Sequence, residues 1–133
     1  MCKLTFLLLT FLLSTSVLEV SAQKSQPEKP RILITTDIGG TDPDDNQSMM
    51  HYLLYSNMFD CEGLVSSPSY GNGNKSEILR MIDLYAKDLK KLQKHADGYP
   101  LPIILKAIAK QGRHGAAPMC GYTTSTEGSD WIV

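Results

Sequence analysis

Residues 32–48, ILITTDIGGTDPDDNQS, decide how the 133-residue chain is read. Ile32-Leu33-Ile34-Thr35-Thr36 is a short apolar, β-branched run, and Gly39-Gly40 turns the chain. Asp42-Pro43-Asp44-Asp45 then has the composition of a helix start: an acid at the cap, proline at the first helical position, and acids facing the positive end of the dipole. Four carboxylates (Asp37, Asp42, Asp44 and Asp45) therefore fall within nine positions, at the carboxyl end of an expected strand. In open α/β sheets that is where ligands bind.

Outward from this stretch, the pattern alternates. The first strand is expected over residues 31–36 and, being continuously apolar, to be covered on both faces. A helix over 44–57 places Met50, Leu53, Leu54 and Met58 at helical spacing. A second strand over 61–66 leads into a Ser/Gly/Asn-rich loop, 67–74. A longer helix over 75–95 carries Ile78, Ile82, Tyr85, Leu89 and Leu92 on one face, with Asn74 and Glu77 spaced as a capping box. Residues 101–110 read as a short helix, 112–126 as a loop of glycine and small polar residues, and 127–133 as the start of a helix or strand. The order βαβα implies a parallel sheet. Two strands make a poor sheet, so the chain reads as the front of a larger α/β domain.

The amino terminus has the composition of an export signal. Lys3 precedes an apolar run over residues 4–13, and Val20-Ser21-Ala22 has the small-x-small form of a cleavage site. The run is too short for a bilayer span of roughly 20 residues. A signal peptide is expected over 1–22 and a polar, proline-containing linker over 23–30, with 31–133 as the folded part and a secreted or periplasmic location. The net charge of −1, with no basic stripe, argues against nucleic-acid partners. Cys61 and Cys120 could pair in an oxidising compartment, but two buried thiols are the expectation.

The acids admit two readings. Helix-start chemistry explains Asp42, Asp44 and Asp45 without any function. It does not explain Asp37, which lies directly after the strand, nor the convergence of so much negative charge on one turn. A hard divalent cation with oxygen ligands, Ca²⁺ or Mg²⁺, would resolve the repulsion. His51, His95 and His114 share no metal-ligand spacing, and no nucleophile elbow or dinucleotide fingerprint is present.

The run Thr36-Asp37-Ile38-Gly39-Gly40-Thr41-Asp42-Pro43-Asp44-Asp45 resembles the aspartate motif of calcium-dependent nucleoside hydrolases. With Leu53-Leu54-Tyr55-Ser56-Asn57-Met58-Phe59-Asp60 and Glu62-Gly63-Leu64, it is similar to the nucleoside-hydrolase-like domain of secreted cellulose-binding proteins. The resemblance runs over 31–99, with a weaker echo in Glu127-Gly128-Ser129-Asp130-Trp131. It implies a Rossmann-like, three-layer, parallel-sheet fold, present here as its N-terminal βαβα portion. It further implies Ca²⁺ held by Asp37 and Asp45, Asp37 as the base that activates water, and Asp44 and Asn72 as contacts to a nucleoside or carbohydrate. The activity implied is hydrolysis of an N-glycosidic or related bond; the alternatives are a non-catalytic carbohydrate-binding module or an inactive truncated fragment. One departure stands out. Thr35 occupies a position where nucleoside hydrolases usually carry an aspartate.

Overall fold

The structure, a computed structural model, describes residues 28–40, 42–67, 73–115, 118–121 and 123–133. The expected signal peptide and most of the linker lie outside the described residues, as does Asn72. Among the described residues, no helix is long and apolar enough to cross a membrane.

The chain runs β1 (Arg31–Thr36), α1 (Asp44–Leu54), a 3₁₀ turn (Ser56–Met58), β2 (Asp60–Ser66), α2 (Lys75–Leu92), α3 (Pro102–Ala107), β3 (Ala109–Gln111) and α4 (Glu127–Ile132). The strands form one parallel sheet in the order β1-β2-β3. The α/β class and the order β1, α1, β2, α2 match the sequence reading, with α1 ending at Leu54 instead of 57 and α2 at Leu92 instead of 95. β3 does not: the helix expected over 101–110 ends at Ala107, and the next three residues pair with Leu64, Val65 and Ser66. A three-residue strand is too short to carry a period, and only the fit of buried Ala109 against β2 reveals it.

Side chains alternate across the sheet, so its two faces can be read off the register. Ile34 and Leu64 are paired and point toward α1 and α2. There Met49, Leu53, Ile78, Ile82 and Tyr85 form the core with them. The opposite face carries Leu33, Thr35, Gly63 and Val65. α4 packs on that side, with Gly128 so close to Val65 that a Cβ would stand 2.6 Å from its Cγ1. Only glycine permits this approach. α4 packs on β2 and β3, and Leu33 on the outward face of β1 is 39% exposed among the described residues. Within the described residues the burial of β1 alternates instead of being continuous on both faces as expected.

Two polar ties hold α4 in place. The register slips at Glu62, and the carbonyl of this residue accepts the Trp131 indole N–H at 2.7 Å. At the other end, Glu127 accepts the Gln111 backbone N–H at 3.0 Å and the Lys75 ammonium at 2.9 Å. Lys110 also sits 4.1 Å from the centre of the Trp131 ring. Trp131 is thus a docking residue. Asn74 caps α2 through the Ser76 N–H, as expected, but the Glu77 side chain pairs with Arg80 instead of closing a capping box. Cys61 is half-buried and Cys120 exposed, both as free thiols, so the expectation of two buried thiols fails for Cys120.

The Gln111 N–H, then Lys75, hold the Glu127 carboxyl below the usual range. The stability it contributes is present above the ordinary carboxylate pKa and is lost as pH falls through the lowered value. Glu127→Gln is expected to cost about 1 kcal/mol or less at pH 7, since the group is largely solvated. The difference from the parent should shrink as pH falls below the ordinary carboxylate range and close once Glu127 is protonated in the fold. Urea unfolding of both proteins across pH measures this.

Candidate functional site

The site begins where β1 ends. The Thr36 carbonyl accepts the Ser67 N–H at 2.7 Å, which closes the ladder between β1 and β2. The chain then turns: the Gly40 N–H reaches back to the Asp37 carbonyl at 3.1 Å, with Gly39 at φ 89° in the third position. That conformation favours glycine, and a Cβ there would also stand 2.8 Å from Asn74. Between them, Ile38 drops its side chain fully into the core. Its carbonyl accepts two hydrogen bonds, from the Asn74 N–H at 3.0 Å and from the buried Ser66 hydroxyl at 3.2 Å. Both β2 and the start of α2 therefore hold the turn that presents Asp37.

The four acids separate into two pairs. The carboxyls of Asp37 and Asp45 lie within hydrogen-bonding reach of each other. Thr36 braces this pair: its hydroxyl accepts the Ile38 N–H at 3.1 Å and donates to Asp45 at 3.4 Å. Burial, then the neighbouring Asp37, push the Asp45 pKa up, and the Thr36 hydroxyl opposes them. Asp42 and Asp44 form the second pair, fully in solvent. A hydrogen bond between them raises the pKa of Asp42 and lowers that of Asp44. Asp44 also accepts the Asp45 N–H at 3.0 Å. Asp42 is not the N-cap expected from sequence; the cap position falls on Pro43 and has no side-chain hydrogen bond.

Of the residues expected to act together, the structure joins Asp37 and Asp45 and turns Asp44 toward Asp42. Asp37 faces a recess of about 220 Å³ that is also lined by Thr35, Thr36 and Ser67. Among the described residues, no group of three or more His, Cys, Asp or Glu side chains is placed to hold a metal ion. Asp37 and Asp45 supply two carboxylates of the six to eight oxygens that Ca²⁺ prefers. Their chemistry fits a hard cation, since ionising both in this setting is unfavourable without a positive charge. The three histidines are exposed and stand apart from the pair.

Sequence reasoning missed a larger cavity beside the recess. It holds about 630 Å³ on the outward face of β1 and is walled by Val65, Arg113 and a run of hydroxyl residues from Thr123 to Thr126. Thr35 and Ser67 line both spaces. The composition of the 112–126 loop was visible in sequence, but its position depended on β3, which places the loop at a strand's carboxyl end.

The profile of the family described as Cellulose-binding Sde182, nucleoside hydrolase-like domain, matches residues 31–133. Among solved structures, the chain is similar to a nucleoside hydrolase-related hypothetical protein from Saccharophagus degradans that is associated with carbohydrate metabolism, with 32% identity and a TM-score of 0.70. That similarity covers 79% of this chain and 26% of the other, so the chain spans about a quarter of that protein's length. No curated protein matches the chain.

Because the fold raises the Asp45 pKa, ionising Asp45 costs stability. The cost is absent in acid, sets in as pH rises past the ordinary carboxylate value and is complete above the raised one. Asp45→Asn is expected to raise the melting temperature at pH 7 in a chelator, and to lose that advantage below about pH 4. Differential scanning calorimetry at the two pH values measures it. A lower melting temperature at pH 7 would mean that the pair is not in repulsion.

Proposed function

Since the chain belongs to the cellulose-binding Sde182 family of nucleoside hydrolase-like domains, we propose that its acid turn is the water-activating part of a glycosidic hydrolysis site. The observation that carries this reading is the convergence of Asp37 and Asp45 at the carboxyl end of β1, beside an open recess. Helix-start chemistry does not produce such a pair. Asp37 lies outside the helix, yet it is the partner of the more buried of the first-turn acids.

Asp37 and Asp45 would hold Ca²⁺, which would offset their repulsion and acidify a nearby water. Asp37 orients that water from the wall of the recess and takes its proton. The water oxygen then attacks an anomeric carbon of oxocarbenium character, and the bond to the leaving group breaks, the leaving group taking the electron pair and a proton from solvent. Thr36 keeps Asp45 in place while Asp37 acts. Asp44, on the solvent side, is available for hydroxyls of the sugar, and the resemblance assigns the same role to Asn72, which lies outside the described residues. The substrate is a nucleoside or a related carbohydrate.

A second reading is a carbohydrate-binding module without catalysis. Thr35 favours it: a hydroxyl lines the recess at the position where the resemblance expects another aspartate. The two readings separate experimentally in the full-length protein. Under hydrolysis, Asp37→Ala abolishes both calorimetric Ca²⁺ binding and nucleoside cleavage, whereas Asp42→Ala leaves both near the parent level. Equal, mild effects of the two substitutions would reduce the aspartates to a helix start.

The proposal places the protein outside the cytoplasm, with residues 1–22 removed as a signal peptide. N-terminal sequencing of exported protein should begin at Gln23. Retention of Met1 would remove the extracellular reading.

A further inference from the structure

β3 lies far from the aspartate motif in sequence, yet its last residue reaches the segment on which the acid turn rests. Gln111 pairs with Ser66 at the carboxyl end of the sheet. Its side-chain amide is fully engaged there. Oε1 accepts the Lys75 backbone N–H at 2.7 Å, while Nε2 donates to the Gly73 carbonyl at 3.4 Å and to the Gly112 carbonyl at 3.2 Å. The Gln111 backbone N–H is held in turn by Glu127 at 3.0 Å.

The Lys75 N–H is one of the donors that the first turn of a helix leaves without an intrahelical partner. Asn74 caps the next one, on Ser76, from within the chain segment; Gln111 caps Lys75 from another strand. Asn74 therefore sits between the two backbone groups that Gln111 holds, at Gly73 and Lys75. Its own N–H is one of the two donors to the Ile38 carbonyl, and Gly39 packs directly against it. A displacement of the start of α2 is thus passed to the turn that presents Asp37. The residue type matters. A carboxylate at position 111 could not donate to the two carbonyls, and a lysine or arginine could not accept the Lys75 N–H. Only an amide of this length satisfies all three partners.

We propose that Gln111 is a positioning residue for the acid turn: it fixes the start of α2 and, through the hydrogen bond from Asn74 to Ile38, sets the place of Asp37 relative to Asp45. It acts through Asn74, from the one strand that carries no part of the aspartate motif. The consequence for Ca²⁺ rests on the function proposed above; the hold on the turn does not.

The test uses the full-length protein, with Ca²⁺ alone as the probe in isothermal titration and with backbone amide exchange read by mass spectrometry. Gln111→Met keeps the length of the side chain and removes its hydrogen bonds, whereas Gln111→Asn keeps the amide but ends one methylene short. Both should speed exchange over residues 37–45 and 73–78. Both should weaken Ca²⁺ binding about tenfold, the low end of the effect typical for partners of metal ligands. Tyr85→Phe removes the hydrogen bond to the Pro100 carbonyl, 2.8 Å long and away from the acid turn, and so measures what lost stability does by itself. It should leave Ca²⁺ affinity and exchange over 37–45 near the parent level. Should Gln111→Met fail to fold, Gln111→Asn carries the comparison. Parent-like affinity with parent-like exchange over 37–45 in the Gln111 variants overturns the proposal, as does an equal loss of affinity in Tyr85→Phe. If the parent itself takes up no Ca²⁺, the hydrolytic reading fails and exchange alone decides. Faster exchange over 37–45 in the Gln111 variants but not in Tyr85→Phe then supports the positioning role, and unchanged exchange overturns it.

Discussion

The carbonyl of Ile38 is the point on which the site depends. It accepts one hydrogen bond from the start of α2 and one from the buried end of β2, while the side chain of the same residue fills the core. A buried carbonyl left without partners costs roughly 1–3 kcal/mol. The turn from Asp37 to Gly40 therefore cannot drift without giving up both polar and apolar contacts. The presence of glycine at position 39 follows from the same closeness, because Asn74 occupies the space that a side chain would need. Packing beneath the turn is what makes the acids above it a defined geometry.

This support explains why four neighbouring acids do not behave alike. Asp37 is fixed by its turn and Asp45 by the first turn of α1, and the two meet at the strand end with Thr36 between turn and helix. Asp42 and Asp44 meet in open solvent, where repulsion is screened and easily relieved. One pair carries the cost of burial and the other does not. Functional sites hold groups in such unfavourable company, and stabilising them is the work of a ligand.

The two faces of the sheet show a related division of labour. Toward α1 and α2, the sheet is closed by large apolar side chains. Toward α4, it is held by a few directional ties, Glu127 to Gln111 and Lys75 and Trp131 to Glu62, with Gly128 allowing close contact at one point. The hydroxyl-lined cavity lies beside these ties, between β1 and the loop that leads into α4.

Much of this was determined by sequence alone. Ile32-Leu33-Ile34 before two glycines, and Ile78, Ile82, Tyr85 and Leu89 at helical spacing, are local patterns that specify strand and helix wherever they fold. The TTDIGG and DPDD segments likewise pointed to the strand end as the candidate site. Tertiary structure decided the rest, because the missing information was spatial. β3 is too short to have a period and exists only through pairing with β2. The partnership of Asp37 with Asp45, rather than with Asp42 or Asp44, depends on how the Ile38 turn is held over the core. Composition showed that Thr123 and Ser67 were polar loop residues; only the parallel sheet brought two loops, distant in sequence, to the same edge.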